Sequence, residues 1–229
     1  MLFGVVITVS LIGAIVLGIG LVLQRGRASI DLSPRSLLRF YLYFASLAGV
    51  IALSGGLAAL LTFGLSGPLG RDVMYGAVPQ LPAEPTPACA PGAADCAKGP
   101  LTSEEQRSRA LAERDRRASE DLIRGISFTI FGAIFFGAHW LARRSIVLAE
   151  QSSLLHRSYL MLVTLAFGLA TIFLLPSGVA TAASSLVLTA PADSYRESAG
   201  AELSGGLVAL VLWLAYLRLV VRDFRAPAA

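Results

Sequence analysis

Apolar residues fall into five long runs along the chain, at positions 2–23, 42–65, 122–141, 159–182 and 203–221. As helices, each is long enough to cross roughly 30 Å of hydrocarbon at about 1.5 Å per residue. The pattern predicts an all-α polytopic transmembrane bundle of five spans. Between the second and third runs the character changes twice. Residues 67–100 are dominated by proline, glycine and alanine, which predicts an extended excursion. Then "LTSEEQRSRALAERDRRASEDLIRG" begins with Thr102 and Glu105 in the spacing of a capping box. Glu105–Arg109, Glu113–Arg117 and Glu120–Arg124 are acid-first (i, i+4) pairs, so a salt-bridged helix is expected to run on into the third span.

The second and fourth runs share a pattern. An offset of 118 places Arg39 on Arg157, Tyr41 on Tyr159, Leu42 on Leu160 and Ser46 on Thr164. An offset of 77 places Glu120 on Glu197, Phe136 on Trp213 and His139 on Tyr216. The chain therefore reads as one N-terminal span plus two helical hairpins of the same orientation, related by an axis along the membrane normal. Three units follow: residues 1–34 as anchor and link, 35–222 as the four-span repeat, and 223–229 as a tail. Small-residue stripes at Ser10/Ala14/Gly18, Ala45/Gly49 and Ala133/Gly137 are candidate helix contacts. Pro176 is expected to kink or end the fourth span.

Charge sets the orientation. Only 15% of the residues are charged and the mean hydropathy is +0.69, so the net charge of +4 reads as membrane anchoring, not nucleic-acid binding. The links on one side carry ten arginines against three acids; the other side carries nine basic residues against twelve acidic ones. The arginine-rich side is expected to be cytoplasmic, with the N-terminus outside and the C-terminus inside. The two cysteines, Cys89 and Cys96, then lie outside, where a disulfide between them would persist. The lipid bilayer is one expected partner. Other membrane proteins, docking on residues 67–121, are another. The "RDRR" cluster, Arg114 to Arg117, reads as part of a solvated helix because nearby acids nearly match it.

Candidate chemistry is sparse. No Asp, Glu, Lys or Arg occupies the centre of a span, which weighs against a proton-coupled pathway. The hydroxyls Ser46, Ser54, Thr129, Thr164 and Thr171 are expected to bond to their own helices. Ser46 and Thr164, matched by the repeat, are the residues a permeation crevice would use. His139 and His156 lie at similar depth, so bis-histidine ligation of a b-type haem is a remote alternative. The favoured expectation for His139, Trp140, Arg39, Arg157, Tyr41 and Tyr159 is an interfacial belt. The pairs Gly55–Gly56 and Gly205–Gly206 lack the strand-turn-helix context of a nucleotide loop. Neither an enzyme nor a bound cofactor is expected.

The stretch "FFGAHWLARRSIVLAEQSSLLHRSYLMLVTLAFGLATI", residues 135–172, resembles the bacterial membrane family classed as domain of unknown function DUF5671. His139, Trp140, Arg143, Arg157, Tyr159 and Leu160 carry the likeness. "RFYLYFASLA", residues 39–48, resembles the opening of the same four-span unit, so the likeness covers about residues 35–222. The family's proline before the histidine is absent here, and the cysteine loop is an insertion. The resemblance implies a multi-pass protein of the bacterial cytoplasmic membrane and brings no activity with it. The leading expectation is a non-catalytic scaffold, with small-solute or ion permeation as the alternative. A membrane-impermeant thiol reagent is expected to reach Cys89 and Cys96 in intact cells after reduction. Labelling only after the membrane is permeabilised would reverse the topology.

Overall fold

The computed structural model describes residues 34–78, 103–146, 154–188 and 197–225. They form helices α1 (Pro34–Leu65), α2 (Arg71–Tyr75), α3 (Ser103–Ile146), α4 (Leu154–Val187) and α5 (Gly200–Arg225), with no strand among them. All but α2 are long and apolar enough to cross a membrane, and these four match the last four predicted spans. The run at 2–23, its Ser10/Ala14/Gly18 stripe, and Cys89 and Cys96 lie outside the described residues.

Each long helix outruns its apolar stretch. Pro34, with no N–H to satisfy, begins α1 in the first-turn position that suits it. The start of α3 at Ser103 agrees with the capping-box expectation, although Thr102 itself lies outside the described residues. Pro176 does not end α4, which continues to Val187. Residues 223–225, expected as tail, are the last residues of α5.

In lipid no hydrophobic effect draws helices together, so close backbone approach has to provide the contact. The α1–α3 pair achieves it with glycines from both helices. A Cβ on Gly49 would lie 2.8 Å from the Phe136 nitrogen, and one on Gly125 would lie 2.8 Å from Leu60 Cγ. Likewise Gly56 abuts the Thr129 backbone, and Gly132 abuts Leu53. Moving along α1 through 49, 53, 56 and 60 moves back along α3 through 136, 132, 129 and 125. Each glycine thus receives a larger residue of its neighbour, in antiparallel register with a seven-residue repeat. The expected Ala133/Gly137 stripe is displaced by this ladder, because nothing packs against Gly137. The α4–α5 pair is built in the same way, with Gly178 against Leu203 and Gly206 against Leu175.

The two pairs meet chiefly where α5 packs on α1, with a smaller contact between α4 and α1. One core cluster joins Tyr43 and Val50 of α1 to Tyr159, Leu160, Val163 and Tyr216. A second lies at the opposite end, where α2 closes the bundle. There Val73 and Met74 pack against Ala182, Ala199 and Leu203. The Ala199 N–H donates to the Val73 carbonyl at 2.9 Å, and the Thr62 hydroxyl reaches the Gly200 carbonyl at 3.2 Å. Gly70 and Gly76 flank α2 at φ of 93° and 90°, a left-handed conformation that costs other residues about 1 kcal/mol or more.

The ladder predicts opposite outcomes for adjacent glycines. Gly56→Leu should lower stability by about 2 kcal/mol or more through overpacking. Gly55→Leu, which points into open space, should be near neutral. Steric-trapping measurements in bicelles would separate the two, and equal effects would refute the ladder.

Candidate functional site

The residues expected to form an interfacial belt, together with Ser46 and His156, gather at one end of the bundle, formed by the start of α1, the end of α3, the start of α4 and the end of α5. We call this the basic end. At its centre the half-buried Arg143 lies over two neighbouring rings. Its guanidinium carbon is 4.8 Å from the centroid of Tyr43 and 5.0 Å from that of Tyr159. Its Nη1 is buried without a hydrogen-bond partner among the described residues. Planar guanidinium suits this setting, since its weak hydration and delocalised charge let ring faces replace a carboxylate.

Around it runs a set of hydroxyl contacts. Tyr159 Oη lies 3.2 Å from Tyr216 Oη and 3.4 Å from Ser46 Oγ, all three residues buried. Tyr43 Oη lies 3.3 Å from His156 Nδ1. Farther out, Arg157 Nε makes an ion pair with Asp223 at 3.3 Å, without a well-aligned hydrogen bond. The charges therefore lock side chains of three long helices into one arrangement, and the tyrosines link them to the fourth.

The predicted belt is divided by this arrangement. Tyr41, 54% exposed, and Trp140, 40% exposed with Arg144 over its ring, sit as interfacial residues do. Arg39 is partly exposed on α1. Tyr159, by contrast, is only 6% exposed, so it is a core residue and not an interfacial anchor. Tyr43, 5% exposed, joins Tyr159 in the core. The signal for Tyr43 was its spacing from Ser46 and Val50, which places all three on one face of α1.

The histidines separate. His139 Nδ1 lies 2.7 Å from the Phe135 carbonyl, which can only accept, so this nitrogen carries the proton. In the neutral ring Nε2 then accepts from Tyr41 Oη at 3.3 Å. His156 faces Tyr43 instead. Tyr41 and Tyr43 are two residues apart on α1, about 200° around the helix. The two imidazoles lie on different sides of α1, an arrangement that does not support one haem between them.

The hydroxyl expectations also divide. Ser54, Thr164 and Thr171 each donate to a carbonyl of their own helix at 2.8 Å. Ser46 instead reaches across to Tyr159, and Thr129 Oγ1 is buried without a partner among the described residues. Ser46 is in the core, whereas Thr164 borders a groove on the outer face of α4 and α5. They do not line one crevice.

At the opposite end the charged part of α3 is braced against α2. Arg71 pairs with Asp115 at 2.6 Å, and Arg114 pairs with Asp72. Glu113–Arg117 forms as expected, but Glu120 pairs back with Arg116 instead of Arg124. Every charge of the "RDRR" cluster is thereby matched by an opposite one. Burial, reinforced by the nearby Asp121 carboxylate, pushes the Tyr75 phenol up to about 12, so it stays neutral beneath these pairs.

These features define an all-helical, multi-pass membrane protein with four apolar helices of spanning length among the described residues. No family model, curated protein or solved structure matches the chain.

Arg143→Met should cost about 1–2 kcal/mol by loss of the two ring contacts. In a Tyr43→Leu, Tyr159→Leu background the same change should cost little. A double-mutant cycle on unfolding in detergent measures the coupling, and additive losses would show that the rings do not hold the cation.

Proposed function

We propose that this protein is a non-catalytic scaffold of a bacterial cytoplasmic membrane, holding a charged helical arm above the outer face for partner proteins. The observation that carries the reading is the length of α3. Its 44 residues span about 66 Å, against roughly 30 Å of hydrocarbon. Residues 103–121, which precede its apolar run, extend about 28 Å beyond it. The ion pairs to α2 brace this arm near its middle, and most of its side chains are exposed.

Tight packing at both ends of the described bundle favours scaffolding over permeation. Val163 and Ser46 are fully buried at the level of the basic end, and Met74 fills the other end. The arginine asymmetry supports placing the arm outside, together with a Cys89–Cys96 bridge in the preceding loop. The likeness to the DUF5671 family agrees with this reading and adds no activity to it.

The two hairpins are further proposed to be copies of one unit. The offsets that carry Tyr41 to Tyr159 and His139 to Tyr216 carry one cross-helix hydrogen bond onto the other. Sequence alignment of two apolar helices alone has little discriminating power; a shared contact at shared positions is a stronger correspondence.

A photo-crosslinking residue at Arg107 on the arm should give discrete protein adducts in intact cells. The same residue at Ile130, on the lipid-exposed part of α3, should not. An arm position that yields no protein adduct would refute the docking role.

A further inference from the structure

We infer that two copies of this chain associate head-to-tail, with the Tyr41–His139 face of one copy seated in the α4–α5 groove of the other. The inference rests on the hairpin repeat and on what each hairpin face touches. In the first hairpin, the α1 face bearing Tyr43, Ser46, Leu47 and Val50 is covered by Tyr159 and Tyr216 of the second hairpin. The offset of 118 carries those four residues to Met161, Thr164, Leu165 and Gly168. All four line the groove on α4 and α5, a cavity of about 400 Å³. The offset of 77 carries Phe136, packed beside the first face, to Trp213, which also lines the groove.

The groove is therefore the second hairpin's counterpart of a surface that the first hairpin has filled. The filling residues have counterparts too. Tyr159 and Tyr216 correspond to Tyr41 and His139, which keep the same mutual hydrogen bond but face outward. Phe135, the counterpart of Leu212 in that packing, is 43% exposed. Each chain thus uses one complementary pair of faces internally and leaves the equivalent pair open.

An interface between unlike faces repeats until it closes. Two copies make the smallest closed arrangement, a ring of four hairpins. Depth agrees with the proposed repeat: an axis along the membrane normal would carry the internal pair of contacting faces to the open pair without changing their level. The run at 2–23 is a competing occupant, but "LFGVVITVSLIGAIVLGIGLVL" has no tyrosine, histidine or tryptophan to reproduce the filling face.

The test uses the full chain in nanodiscs with Cys89 and Cys96 replaced by serine. Tyr41→Cys and Met161→Cys chains, carrying different tags, are co-expressed and oxidised. The equivalent internal neighbours are Tyr159 and Tyr43, whose rings are 5.3 Å apart. The expected result is a disulfide-linked dimer holding both tags, absent when either variant is expressed alone. Leu165→Trp, which fills the groove from a lipid-exposed position, should abolish the link and convert the native mass from dimer to monomer. Leu165→Ala should retain both.

A monomeric mass without cross-linking would overturn the proposal, as would linkage of Met161→Cys to itself. So would capture of Met161→Cys by a cysteine placed in residues 2–23 of the same chain. None of these results bears on the arm's docking role, which the adduct experiment reads separately.

Discussion

Everything in this bundle depends on how closely α1 and α3 approach. Between helices in lipid, apolar surface has no water to escape, and association rests on packing and hydrogen bonds. Gly49 and Gly56 on α1, with Gly125 and Gly132 on α3, let backbone meet side chain without a gap. Because glycines alternate between the helices, a shift by one residue would set Leu53 or Leu60 against another bulky side chain. The ladder therefore fixes register as well as distance. That register brings Tyr41 level with His139 and Tyr43 level with Arg143 at one end. At the other it brings the "RDRR" turn within reach of α2.

At the basic end a half-buried cation packs on tyrosine rings and not on a carboxylate. A fully desolvated ion pair recovers its hydration cost only when its geometry is good. Arg143, half-buried, instead lies over two adjoining tyrosine rings whose hydroxyls are tied to Ser46, His156 and Tyr216. Asp223 is left to Arg157 nearer the surface. The arrangement joins the two hairpins at a point where an arginine was expected to mark depth alone.

Sequence reasoning located the elements well along the chain and poorly around each helix. Four apolar runs became four long helices, because hydropathy and length measure depth directly. Which side of each helix faces a neighbour is a different question. Tyr41 and Tyr159 match in sequence and in depth, yet one faces outward and the other is buried. Nothing in the repeat distinguishes them, since the difference arises from where the second hairpin lands on the first. The glycine spacing was readable in principle. The seven-residue recurrence at 49/56 and 125/132 marks the contact, whereas four-residue stripes identify Gly49 but not its partner. Charge pairing along the arm was legible locally, whereas the pairs to α2 join residues more than forty positions apart.

The unbroken length of α3 has a mechanical consequence. Its membrane portion and its arm form one continuous helix, so the arm has no joint at the bilayer surface. Spanning helices tilt in response to bilayer thickness, commonly by about 20°. For a rigid arm about 28 Å long, a tilt change of about 10° moves the tip sideways by roughly 5 Å. The α2 brace, at Arg114 and Asp115, limits bending of the lower half of the arm. Such a helix is a lever, converting the thickness of the surrounding lipid into the position of a charged surface outside it.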